Sequence, residues 1–207
     1  MPKDYTIIVP SSRDKMKDET ISHLIKIGEN PVYKNGKNYP SFSKLINDCV
    51  IECPTEIIII CNDKARPKKE DIEKMLKLIN DGYGFVGLYA WGFFGFKKEL
   101  FRRVGFLDER FIGGGYEDCD YMRRMLESNV SMYNVFEIEY QEIGSSWTRT
   151  ITHYNNKWIH GDGFIKRLIA EEEYNYDLGE ETNSDFLPWS ESVLGISQFF
   201  VNHKIQI

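Results

Sequence analysis

Glu56-Ile57-Ile58-Ile59-Ile60-Cys61 is an unbroken apolar run behind a single acidic residue, four isoleucines long. A half-exposed strand alternates apolar and polar side chains, whereas a continuous β-branched run fits a strand covered on both faces, as in the middle of a parallel sheet. Downstream, Pro67 opens an amphipathic segment in which Ile72, Met75, Leu76 and Ile79 recur at helical spacing, and Asn80-Asp81-Gly82 ends it. Upstream, Tyr5-Thr6-Ile7-Ile8-Val9-Pro10 reads as a buried first strand. A polar turn, Ser11-Ser12-Arg13, separates it from a helix expected over about 18–27.

Between these landmarks the pattern predicts a short strand over 31–34, a turn at Lys34-Asn35-Gly36-Lys37-Asn38, and a helix capped by Ser41 that runs to about 51. Further on it predicts strands over 84–88 and 91–96, helices over 98–103 and 117–127, and a strand over 131–137. Past Gln141 the periodicity fades into a polar loop over 144–158, a helix over 159–173 and an acidic tail. Strands alternating with helices predict an α/β, Rossmann-like domain with a central, mostly parallel sheet flanked by helices.

The 207 residues suit one such domain, with no linker or internal repeat. A net charge of -6 and a pI near 5.3 disfavour nonspecific binding to nucleic acid or to an anionic membrane, so any phosphate site must be local. Cys49, Cys53, Cys61 and Cys119 lack zinc-type pairing and read as reduced, mostly buried thiols. No apolar run approaches the roughly 20 residues of a membrane span. These features lead us to expect a soluble protein of a reducing compartment, the cytoplasm.

In an open parallel sheet, ligands bind beyond the carboxyl ends of the strands where the strand order reverses. Two polar turns qualify: Pro10-Ser11-Ser12-Arg13 and Asn62-Asp63-Lys64-Ala65-Arg66. A third feature is Gly113-Gly114-Gly115-Tyr116-Glu117-Asp118-Cys119-Asp120, in which three acidic residues crowd the start of a helical pattern. Acidic residues in a first turn favour the helix dipole, and for Asp120 this is the expected role, with Arg123 and Arg124 as helix-face partners. Glu117 and Asp118 are candidates for chemistry.

The block from Phe106 to Asp120, with the strand-Asn62-Asp63 turn in support, resembles the GT-A nucleotide-sugar glycosyltransferases over about residues 5–160. Its small size also resembles virus-encoded glycosyltransferase domains, which would place it in a host cytoplasm. The resemblance implies a nucleotide-sugar-binding half over 1–100, an acceptor-side half over 101–175 and a C-terminal extension over 176–207. It implies that Pro10, Ser11, Ser12 and Arg13 touch the nucleotide, and that Asn62, Asp63 and Lys64 face the diphosphate. Asp63 would hold Mn2+ or Mg2+, with His153 as a late ligand and His160 as an alternative.

The resemblance further implies that Asp118 is the base that deprotonates the acceptor and that Glu117 orients hydroxyls. Gly114 and Gly115 would allow close backbone approach to a sugar, and Trp91 would shape the donor pocket or fill the core. The loop Ser145-Ser146-Trp147-Thr148-Arg149 is a candidate lid. Asn62-Asp63-Lys64 departs from the family pattern, offering one carboxylate where two or three are usual, with Lys64 a point charge for phosphate. The implied partners are a nucleoside-diphosphate sugar, UDP-sugar favoured, and a glycan or glycoside acceptor, with inversion. A silent sugar- or nucleotide-binding module, a retaining transferase of the same fold, and a metal-dependent hydrolase or nucleotidyltransferase are the alternatives.

Overall fold

The computed structural model describes residues 3–111 and 117–138. The glycine run 113–115, His153, His160, the candidate lid and the predicted loop, helix and tail beyond 141 lie outside the described residues. Six strands and five helices follow in the order β1 (Tyr5–Ser11), α1 (Asp14–Lys26), β2 (Val32–Asn35), α2 (Phe42–Glu52), β3 (Ile57–Cys61), α3 (Lys69–Asn80), β4 (Phe85–Tyr89), β5 (Phe93–Lys97), α4 (Glu99–Val104), α5 (Glu117–Glu127) and β6 (Met132–Asn134). They form one sheet in the order β2-β1-β3-β5-β4-β6.

β3 sits third in that order and is buried along its length, as its isoleucine run predicts. Ile58 and Ile60 join a core layer with α2, α4 and α5, while Ile57, Ile59 and Cys61 join the opposite layer with α1 and α3. The alternation of a strand is thus present in β3, but both of its faces are apolar because both are covered.

The sheet is mostly parallel with one exception. β1 pairs in parallel with β2 and β3, and β4 with β6, while β5 is antiparallel to both β3 and β4. β5 reverses because only Ala90-Trp91-Gly92 separates it from β4. That is too short for a crossover. The turn closes with Gly92 N–H donating to the Tyr89 carbonyl at 2.7 Å and Ala90 at φ 41°.

Local chemistry explains the helix limits. The Ser41 hydroxyl accepts the Lys44 N–H at 3.1 Å and starts α2 where predicted. α1 begins at Asp14, ahead of the expected position, which the sequence pattern misses because residues 14–19 are mostly polar and exposed and carry no apolar periodicity. α3 turns Ile72, Met75 and Ile79 inward, with Asp71 accepting the Lys68 N–H at 2.7 Å. No described helix is long and apolar enough to cross a membrane.

Candidate active site

The chain steps from β1 outward to β2, then returns past β1 to β3, so the strand order reverses between β1 and β3. The β1–β3 ladder ends at Ile8 opposite Ile60, while Val9, Pro10 and Ser11 pair only with β2. Pro10 has no N–H to donate, so the two strands part at their carboxyl ends. A cleft of about 360 Å³ opens there, within the ~300–1,000 Å³ usual for small-molecule sites.

Pro10, Ser11, Ser12 and Arg13 form one wall, and Asn62, Asp63 and Lys64 another. The structure therefore brings together, from turns 50 residues apart, the residues Pro10 to Arg13 and Asn62 to Lys64, whereas Trp91 stands apart and Gly114 and Gly115 lie outside the described residues. Trp91 packs against Phe85, Phe94 and Tyr121 in the aromatic core and does not line the cleft. Its carbonyl accepts the Asn62 side-chain amide at 3.2 Å, which links Trp91 to the cleft wall from behind its lining. Sequence reasoning missed the third wall, Gly36 and Tyr39-Pro40-Ser41 from the connection between β2 and α2, with Phe42 and Leu45 from the first turns of α2. The signal was available, because β2 lies beside β1 and its carboxyl end opens on the same crevice.

Asp63 is buried, and both carboxylate oxygens are engaged. Oδ2 accepts the Ser11 hydroxyl and, at 3.0 Å, Arg13 Nε. Oδ1 accepts Arg13 Nη2, completing a side-on, two-bond ion pair. Thr20 Oγ1 donates to the Asp63 carbonyl at 2.7 Å, and Arg66 Nη1 to the same oxygen at 3.1 Å, so the turn is also clamped through its backbone. Sequence analysis did not identify Thr20 or Arg66 as supports. Beside them Lys64 lines the cleft, its ammonium pKa lowered by burial and by the nearby Arg13 guanidinium.

These residues do not fit the cation that the resemblance assigns to Asp63. Both of its oxygens are engaged, by Arg13 and Ser11, its counter-charge is already in place, and Arg13 and Lys64 line the cleft beside it. Among the described residues no group of three His, Cys, Asp or Glu side chains is placed to hold a metal.

α5 carries the other candidates. Asp118 is half-buried at its first turn, with Oδ1 accepting the Cys119 N–H at 2.8 Å, and Glu117 is buried. Asp120 is fully buried against Arg124, whose Nε lies at 3.0 Å and whose Nη1 donates to the Phe106 carbonyl at 2.8 Å. Tyr121 hydroxyl donates to the Gly105 carbonyl at 2.8 Å, and the Asn47 side chain brackets Leu107 from α2. The segment 104–107 is thus pinned between α5 and α2. The Trp91–Tyr121 ring contact then ties α5 to the strand end that holds Asn62.

No protein-family model matches the sequence, and no curated protein is significantly similar to it. Solved structures do match. The mannosyltransferase PcManGT from Pyrobaculum calidifontis, solved in complex with GDP-Man and Mn2+, superposes with a TM-score of 0.54 over 97% of this chain and 70% of that one, at 10% identity. The fold is GT-A. Two weaker likenesses are to the catalytic domain of Drosophila β1,4-galactosyltransferase 7 in complex with xylobiose (TM-score 0.49, 14% identity, 68% of this chain and 71% of that one) and to A197 from STIV (TM-score 0.49, 15% identity, 67% and 86%). Within the GT-A fold the crevice between β1 and β3 is the candidate site.

Proposed function

We propose that the protein is a glycosyltransferase that moves a hexose or deoxyhexose from a nucleoside-diphosphate sugar, UDP-sugar favoured, to a hydroxyl of a glycan or glycoside. The observation that carries the reading is the cleft at the strand-order reversal of a GT-A fold, where Ser11, Ser12 and Arg13 meet Asn62, Asp63 and Lys64. Fold alone does not assign chemistry. The cationic pair on this cleft is what a diphosphate needs, because negative charge grows on the leaving oxygen as the glycosidic bond breaks.

In this reading the acceptor oxygen attacks the anomeric carbon in one displacement with inversion. The bond from that carbon to the diphosphate oxygen breaks, its electron pair leaves with the diphosphate, and the acceptor proton passes to the Asp118 carboxylate. Glu117 orients hydroxyl groups. Gly114 and Gly115 give the sugar room at the acceptor side, and the reaction runs in a reducing compartment that suits four free thiols. Tyr39 and Phe42 offer aromatic surface to the base on the third wall.

The test is the acceptor dependence of nucleoside-diphosphate release. Release that requires a sugar hydroxyl, with equal glycosylated product, is expected. Release at the same rate without an acceptor would establish a hydrolase, and none under any condition would leave a binding module.

A further inference from the structure

We propose that this cleft binds the diphosphate without a divalent cation, through an Arg13 guanidinium that Asp63 holds in place and through the Lys64 ammonium. The proposal rests on the reading of the cleft as a nucleoside-diphosphate-sugar site. Guanidinium has five N–H donors in a rigid fork. Arg13 spends Nε and one donor of Nη2 on Asp63, which leaves Nη1 and the remaining Nη2 donor on a side chain 43% exposed. Its anchor is firm, because Asp63 is 3% exposed at the side chain and takes a further bond from the Ser11 hydroxyl. A fork oriented by a buried carboxylate is preorganised for phosphate oxygens, and little side-chain entropy remains to be lost on binding.

The arrangement of charge points the same way. Arg13 and Asp63 form an ion pair whose guanidinium lines the cleft, and the Lys64 side chain lines it beside them. A dication entering here competes with the Arg13 guanidinium for the Asp63 carboxylate. A diphosphate enters with every bond intact. Burial and the Arg13 guanidinium lower the Lys64 pKa, and the negative charge of a phosphate opposes that shift. In this chain, then, Asp63 is a positioning residue for Arg13, and Lys64 stands where a second metal-binding carboxylate would make the cleft anionic.

Isothermal titration of the whole chain with UDP, GDP and dTDP, in EDTA and in Mn2+, tests this directly. We expect one nucleotide to bind with dissociation constants that agree within about twofold between the two buffers, and Mn2+ alone to give no heat. Arg13→Leu is expected to weaken binding about tenfold or more. Because that variant leaves Asp63 unpaired and can misfold, Lys64→Met serves as the second. It is expected to weaken binding several-fold with an unchanged circular dichroism spectrum. Binding that appears only with Mn2+, or Mn2+ binding that Asp63→Asn abolishes, would overturn the proposal and leave the transferase reading standing. Absence of binding to all three nucleotides in both buffers would overturn both.

Discussion

Two acidic residues of α5, two positions apart, illustrate how differently one residue type is used. Asp118 is half-buried, and its carboxylate meets both the N–H and the thiol of Cys119. Asp118→Asn should lower turnover by about 10²–10⁴-fold while the melting temperature stays put, which is the usual yield of a positioned base. Retention of most of the rate would remove Asp118 from the mechanism. Asp120 is buried and paired with Arg124. Asp120→Ala strands a guanidinium in the core and should cost about 3–5 kcal/mol in chemical denaturation. A loss well below that range would mean that water reaches Arg124. The sequence assigns Asp120 to the helix dipole and Arg124 to a helix face, and the i,i+4 pairing was legible. Its burial was not, because the carbonyls of Val104 and Phe106 that Arg124 also reaches belong to a segment 18 to 20 residues away.

At the scale of elements, the sheet is held by close approaches that tolerate no added atoms. A Cβ on Gly87 would lie 2.7 Å from the Ala90 carbonyl oxygen and would also collide with Asn134 Oδ1 across the β4–β6 pairing. Backbone cannot swing aside as a long side chain can. Gly87→Ala should therefore destabilise the protein by about 1–3 kcal/mol, measured by urea unfolding, and a neutral result would contradict the described β4–β5 turn. Element types were largely legible because their signals are local: the isoleucine run of β3, the Ile72-Met75-Ile79 stripe of α3 and the Ser41 cap of α2. The insertion of β5 between β3 and β4 was not, since strand pairing is decided by partners far apart in sequence. The same distinction governs the site. Pro10 to Arg13 and Asn62 to Lys64 announce themselves as polar turns after buried strands, whereas the Arg13–Asp63 ion pair spans 50 residues and leaves no local trace.

Across the whole molecule, two apolar layers enclose thiols whose ionisation opposes folding. Burial pushes Cys49 and Cys61 up to about 12, against about 8.5 for an exposed thiol. Their raised values mean that the folded state holds these protons more tightly than the unfolded chain. Their contribution is intact below about pH 8.5 and is lost as pH climbs toward about 12. Stability by denaturant titration should decline across that window and native-state alkylation of both thiols should be slow. Rapid alkylation of the folded protein near neutral pH would contradict the described burial. Sugar transfer in the β1–β3 crevice of this GT-A fold is the function proposed for the whole molecule. Its most direct test is to incubate the full chain with UDP-, GDP- and dTDP-sugars labelled in the sugar and with a panel of glycosides, then to identify products by mass spectrometry. Label joined to a glycoside hydroxyl from one donor class is the expected result. No labelled glycoside from any donor, with nucleotide nonetheless bound in the cleft, would contradict it.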